Sequence, residues 1–85
     1  MNLALERARA AGARGDRPIA SIIVRDGEIL GAAENTMFSD FDPTAHAEIA
    51  AVRQVCARLK TVELAGSTLY LRGAGGKAFS AGADI

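Results

Sequence analysis

Apolar and polar positions along the chain follow two periods. In residues 2–14, Leu5, Ala8, Ala11 and Gly12 recur at i, i+3, i+6 and i+7, which predicts a helix with one packing face. Asn2 is its candidate N-cap, and Gly12 and Gly15 offer stopping points. The stripe is mostly alanine, so it suits close approach and buries little area. Pro18 then opens Ile19-Ala20-Ser21-Ile22-Ile23-Val24, a short and nearly continuous apolar run. Such a run between breakers predicts a strand covered on both faces. Asp26-Gly27 predicts a tight hairpin turn, and Ile29–Asn35 the returning strand. Gly31, Ala32 and Ala33 are small, which marks a place where another element packs closely.

Thr36–Phe41 reads as a loop, and Asp42-Pro43 as a helix start, with Asp as cap and Pro in the first turn. Ala45, Ile49, Val52, Cys56 and Leu59 form the apolar stripe of that helix, and Arg53, Gln54, Arg58 and Lys60 point away from it. The helix is expected to end near Leu59. Ala65-Gly66 is a turn, and Ser67–Leu71 a third strand. A helical crossover into that strand predicts a parallel neighbour for it. The last fourteen residues hold four of the nine glycines and read as a loop without period. The predicted order is helix, strand, strand, helix, strand: an α/β fold with helices packed on one sheet.

Composition narrows the function classes. Eighty-five residues make one small domain or part of one. Ten basic residues balance ten acidic ones, so the basic excess typical of a nucleic-acid binder is missing, and nucleic acid is not an expected partner. The longest charge-free run is the eight residues from Leu64 to Leu71, too short for a membrane-spanning helix. A membrane is therefore not an expected partner, and no signal-peptide core stands at the N-terminus. The single cysteine, Cys56, forms no internal disulfide and suits a reducing, cytoplasmic compartment. It also excludes any metal site that needs two thiolates from these residues. Gly73–Lys77 resembles a phosphate loop only in its last glycine and lysine; Leu71 and Ala78 stand where that motif needs Gly and Ser or Thr.

The candidate chemistry lies in His46-Ala47-Glu48. A lone His near a helix start is ordinarily a surface or capping residue, and a first-turn Glu complements the helix dipole. Residues two apart do not share a helix face. They converge on one molecule only if it lies over the helix N-terminus. Zinc deaminases use an H-x-E of this kind, the His as metal ligand and the Glu as proton carrier, followed later by P-C-x-x-C.

The longer stretch Asp42-Pro43-Thr44-Ala45-His46-Ala47-Glu48-Ile49 closely resembles the first zinc motif of the cytidine deaminase-like superfamily, in particular its guanine and tRNA adenosine deaminase branch. Asn35, eleven residues before His46, matches the purine-contacting Asn of that branch. Pro18–Ser21, Asp26-Gly27, Cys56–Leu59 and Leu64–Tyr70 follow the family's flanking elements. The resemblance covers residues 1–71. It implies the N-terminal α-β-β-α-β part of a three-layer α/β/α sandwich, and hydrolytic deamination of a purine base or nucleoside with zinc as cofactor. His46 would be the metal ligand. Glu48 would move the proton from the metal's water to the purine. Asn35 would hydrogen-bond the base, and the backbone of Ala47 would line the pocket. Ala20 and Ser21 replace a Gly-Ala pair usual in the family beside that pocket.

After Tyr70 the chain departs from this pattern. Leu71-Arg72-Gly73-Ala74-Gly75-Gly76-Lys77 stands where the family carries P-C-x-x-C, so both zinc thiolates are missing. Cys56 cannot replace them: ten residues of helix at ~1.5 Å each set it ~15 Å from His46, in the role of a buried core thiol. Residues 73–85 resemble instead a short segment of the enoyl-CoA hydratases (crotonases), in which Ala83 would correspond to an oxyanion-hole N–H donor. The chain therefore reads as a deaminase-like partial domain, 1–71, with a Gly/Ala-rich tail of different origin, 72–85. Its expected state is a fragment or degenerate deaminase without activity of its own. The alternatives are a non-catalytic binding or self-associating module, which keeps the Asn35 pocket or an exposed edge at the third strand for a partner or a second copy, the latter giving a homo-oligomer, and, more remotely, a crotonase-related acyl-CoA-binding piece.

Overall fold

The computed structural model describes residues 2–75 and 80–85. Its elements in order are α1 (Asn2–Arg14), β1 (Ile19–Arg25), β2 (Glu28–Glu34), α2 (Ala47–Leu59), β3 (Thr68–Gly73) and β4 (Ser80–Asp84). The cap expected of Asn2 rests on a side chain outside the described ones, and the loop expected of residues 76–79 is likewise outside them.

The four strands form one sheet in the order β2-β1-β3-β4, and every neighbouring pair is antiparallel. The parallel neighbour expected for β3 is therefore not found. β2 and β3 do run the same way, as the α2 crossover requires, but β1 lies between them and pairs with both. Tyr70 sits opposite Ile22 on one side, and Ala32 opposite Ile22 on the other. The tail also differs from its expected loop: Ser80–Asp84 adds a fourth strand, with Leu69 opposite Ala83 and Leu71 opposite Ala81. Small residues spaced for the pleat let that segment extend beside β3. Consequently β3 is not an edge; β2 and β4 are.

The two helices cover opposite faces. Ala4 and Ala8 of α1 pack on Ala20, Ile22, Ala32 and Ala74. Ala51 and Val55 of α2 pack on Ile23, Ala33 and Leu64. Alternation along β1 sends Ile22 to one layer and Ile23 to the other, which explains its unbroken apolar run. The result is the expected three-layer α/β/α arrangement. At the hairpin, Asp26 and Gly27 both have positive φ, 52° and 77°, the twist that a two-residue hairpin prefers.

α2 begins later than Asp42-Pro43 predicts and buries a different stripe. Its first residue is Ala47, and its N-cap is His46 in extended conformation (φ −73°, ψ 148°). Asp42 instead closes a local turn: its Oδ1 accepts from Thr44 N at 2.8 Å and Thr44 Oγ1 at 2.7 Å. These bonds, the hydroxyl's first, hold the Asp42 carboxyl below its usual range. The buried residues of α2 are Ala47, Ala51 and Val55, while Ile49 and Leu59 are exposed and Cys56 is half-buried. Cys56 is thus a peripheral thiol rather than a core one. α2 approaches β2 closely at Gly31: a Cβ there would lie 2.5 Å from Val55 Cγ2 and 2.6 Å from Gln54 Oε1. Gln54 does not point away as expected either. Its Oε1 accepts the Ala32 N–H at 2.9 Å, which blunts the β2 edge. The helix closes on Lys60 in the left-handed region (φ 54°).

Candidate functional site

Asn35 follows the last residue of β2 and is 1% exposed. Its backbone is held on both sides: its N–H donates to Ile19 O at 2.9 Å, and Arg14 Nη2 donates to its carbonyl at 3.1 Å. Its side-chain Oδ1 accepts the Met37 N–H at 3.0 Å. Its Nδ2 is buried and has no partner. A buried donor left without an acceptor costs ~1–3 kcal/mol, so this atom is where a ligand acceptor would be most rewarded. Because the Met37 N–H must face an oxygen, the amide's orientation is fixed by the network.

The loop from Thr36 then folds back to the start of α2. Thr36 N donates to Ala45 O at 3.1 Å, and Asp42 N to Met37 O at 3.0 Å. This brings the strand end that carries Asn35 beside the chain that leads into His46. Ser21 lies on the same sheet layer: it pairs with Ala33, two residues before Asn35, and its Oγ is also buried without a partner. Ser21 thus lies in the same layer as Asn35, whereas Ala20, also expected beside the pocket, packs in the α1 layer.

The remaining site residues sit at the α2 N-terminus. His46 is exposed, and its imidazole makes no capping bond. Ala47 is 1% exposed. Glu48 is half-buried and lines a groove of about 350 Å³ together with Ile49, Val52, Arg53 and Leu69. Glu48 therefore faces β3, whereas Asn35 is covered at the β2 end. The two residues lie at the same end of α2, and Asn35 is not among the residues that line this groove.

The donor set present does not fit a zinc centre. Among the described residues, no group of three His, Cys, Asp or Glu side chains is placed to hold a metal. Residues 76–79, Gly-Lys-Ala-Phe, and Met1 supply no ligand of these types. One imidazole at the positive end of a helix dipole is a weak seat for a dication, and zinc sites use three or four protein ligands.

Residue patterning missed the groups that fix Asn35. Asp16, between α1 and β1, accepts Phe38 N and Ser39 N at 2.9 Å each, Ser39 Oγ at 2.5 Å and Arg14 Nε at 2.9 Å. The Ser39 hydroxyl, ahead of the backbone N–H groups and Arg14, holds its carboxyl down at about 2 against the opposing effect of burial. Its bond raises Arg14 above its ordinary value in turn. Arg7 Nη1 meets Glu34 Oε1 at 3.0 Å, which completes the chain of charges under the β2 end. The signal available in sequence was an acidic residue between Gly15 and Pro18, a loop position where Asp commonly accepts backbone N–H groups.

Comparison with known proteins adds relatives to this geometry. The family described as "Cytidine and deoxycytidylate deaminase zinc-binding region" matches residues 1–74. The tRNA-specific adenosine deaminase of Aquifex aeolicus is 42% identical over 71 residues, which are 84% of this chain and 47% of that protein. A solved structure from work on A-to-I editing by tRNA:A34 deaminases superposes with a TM-score of 0.79 at 42% identity, over 84% of this chain and 55% of that one. Guanine deaminase from Bacillus subtilis superposes at 0.74 with 34% identity, over 82% of this chain and 45% of that one. The chain thus spans about half the length of the relatives it matches. The comparisons lend no support to the crotonase resemblance of residues 73–85.

Proposed function

The chain belongs to the cytidine and deoxycytidylate deaminase zinc-binding family, and on that premise we propose that these residues form its purine-recognising part without a working metal centre. The observation that carries this reading is the Asn35 side chain, buried, with its oxygen occupied by Met37 and its Nδ2 unpartnered. That amide offers a donor in a covered site, which a ring-nitrogen or carbonyl acceptor of a purine base or nucleoside satisfies. Guanine and adenosine are the substrate types suggested by the relatives named above. His46, Ala47 and Glu48 stand where a hydrolytic deaminase would place a zinc ligand, a pocket wall and a proton carrier. With one imidazole and no thiolate pair the reaction is not completed by these residues, and binding is the activity assigned to them. Zero formal net charge weighs toward a free base or nucleoside over one carried in RNA. The division at residue 71/72, with a tail of separate origin, belongs to the same proposal.

The test is a titration of adenosine, guanosine and a short adenosine-containing RNA into ¹⁵N-labelled protein. The reading expects saturable shifts at the Asn35 side-chain amide with at least one purine, and their loss in Asn35→Asp. No saturable response to any of the three overturns it.

A second reading, self-association, is favoured by one observation. α2 leaves the β3–β4 part of its sheet face open, and Leu69, Leu71, Ala81 and Ala83 line a shallow apolar hollow there, continuous at Leu69 with the Glu48–Val52 groove. A second copy of the chain seated on that face would form a homo-oligomer through α2, β3 and β4.

A further inference from the structure

Asp16 is the most completely bonded side chain described, and no role in purine recognition follows from its position in sequence. Its side chain is fully covered, with Arg14 beside it. Oδ1 takes two successive backbone N–H groups, of Phe38 and Ser39; Oδ2 takes the Ser39 hydroxyl and Arg14 Nε. Asp16 is itself tied to α1 by its N–H to Ala11 O at 2.9 Å. It thus links the end of α1, through one carboxylate, to Phe38 and Ser39 of the loop. These follow Met37, whose N–H occupies Asn35 Oδ1. Arg14, oriented by the same carboxylate, holds the Asn35 carbonyl from the other side.

An asparagine amide has a donor end and an acceptor end and can turn either toward a ligand. What decides the matter here is where Met37 N sits; Asp16 holds the two residues that follow Met37, and Asp42 N donates to the Met37 carbonyl. We infer that Asp16 is a positioning residue: by holding Phe38 and Ser39 it helps keep the Asn35 oxygen occupied and makes Nδ2 the end offered to ligand, so that the site selects molecules presenting an acceptor. The inference rests on the reading of Asn35 as the purine contact.

Two kinds of measurement separate the inference from that reading. The first needs no ligand: hydrogen exchange at the Met37 amide and the Asn35 side-chain NH₂ of the ¹⁵N-labelled chain. Asp16→Ala should speed Met37 exchange about tenfold or more, while the amides of Ala51–Val55 in α2 keep their protection. Ser39→Ala removes one bond to the carboxylate at an exposed position, and should give a smaller change in the same direction. It serves in place of Asp16→Ala if that variant does not fold.

The second measurement compares purine with indole, a bicycle of similar shape without a ring-nitrogen acceptor. Wild type should prefer purine by about tenfold, the worth of one hydrogen bond. Asp16→Ala, or Ser39→Ala in its place, should narrow that ratio, toward one in the first case. A merely structural role would weaken both ligands alike and leave the ratio unchanged, and that result overturns the inference. Unchanged Met37 exchange in both variants overturns it as well. If wild type binds neither bicycle, the purine reading fails, and the exchange measurement alone then decides whether Asp16 fixes the Asn35 amide.

Discussion

Asn35 and Asp16 illustrate how one residue's value depends on another's bonds. The Asn35 amide is informative because one end is satisfied and the other is not. Asp16 is informative because all its neighbours are donors, so the network needs its charged form. That need has a pH signature. The carboxyl sits at about 2 in the folded chain against an ordinary 3.8, so the unfolded chain takes up the proton first. Its stabilising contribution is full above the ordinary value and is lost as pH falls through the folded one. Asp42, lowered in the same direction, adds to the fall. Urea denaturation should therefore show wild-type stability declining between about pH 4 and pH 2. Asp16→Asn should be less stable at neutral pH and should lack its share of that decline. An equal decline in both proteins would show that Asp16 does not titrate as the network requires.

At the scale of elements, the open face beside α2 carries the next expectation. α2 packs its alanines and Val55 inward and leaves Ile49, Val52 and Leu69 around the groove. Sedimentation across a wide concentration range should show self-association that Ile49→Lys weakens, because a charge at that rim is costly to bury. A wild-type chain that stays monomeric throughout contradicts this use of the face.

The same helix shows what the sequence made legible. Element order, the hairpin at Asp26-Gly27 and the end of α2 near Leu59 followed from breakers and periodicity, which are local signals. The start and the buried stripe of α2 did not. Asp42-Pro43 has the chemistry of a helix cap, and its Asp bonds Thr44 in a turn instead. Large apolar residues suggested the stripe, but the helix turns Ala47, Ala51 and Val55 inward, and where Val55 meets β2 only a glycine fits, a constraint set by the pairing of β2 with α2. The antiparallel pairing of β3 and the strand at Ser80–Asp84 depend on partners distant in sequence, which periodicity does not encode. Within the candidate site, the family resemblance pointed to Asn35, His46, Ala47 and Glu48 in sequence. Asp16 and Arg14 stayed hidden because their roles come from bonds to residues more than twenty positions away.

For the whole molecule, the decisive question is what three layers and one family motif amount to when the metal's other ligands are missing from these residues. The family match covers both helices and the first three strands. On the proposed reading Asn35 serves recognition, and the metal side is reduced to His46 and Glu48 at a helix N-terminus, whose dipole repels a cation. Recognition and catalysis are then separated within one fold. The most direct test is zinc content per chain, by elemental analysis of the purified, buffer-exchanged 85-residue protein, followed by calorimetric zinc titration. No retained zinc and no site tighter than about micromolar are expected, since structural and catalytic zinc sites use three or four protein ligands. About one zinc per chain, lost in His46→Ala, would contradict this and restore the metal centre that the donor set denies.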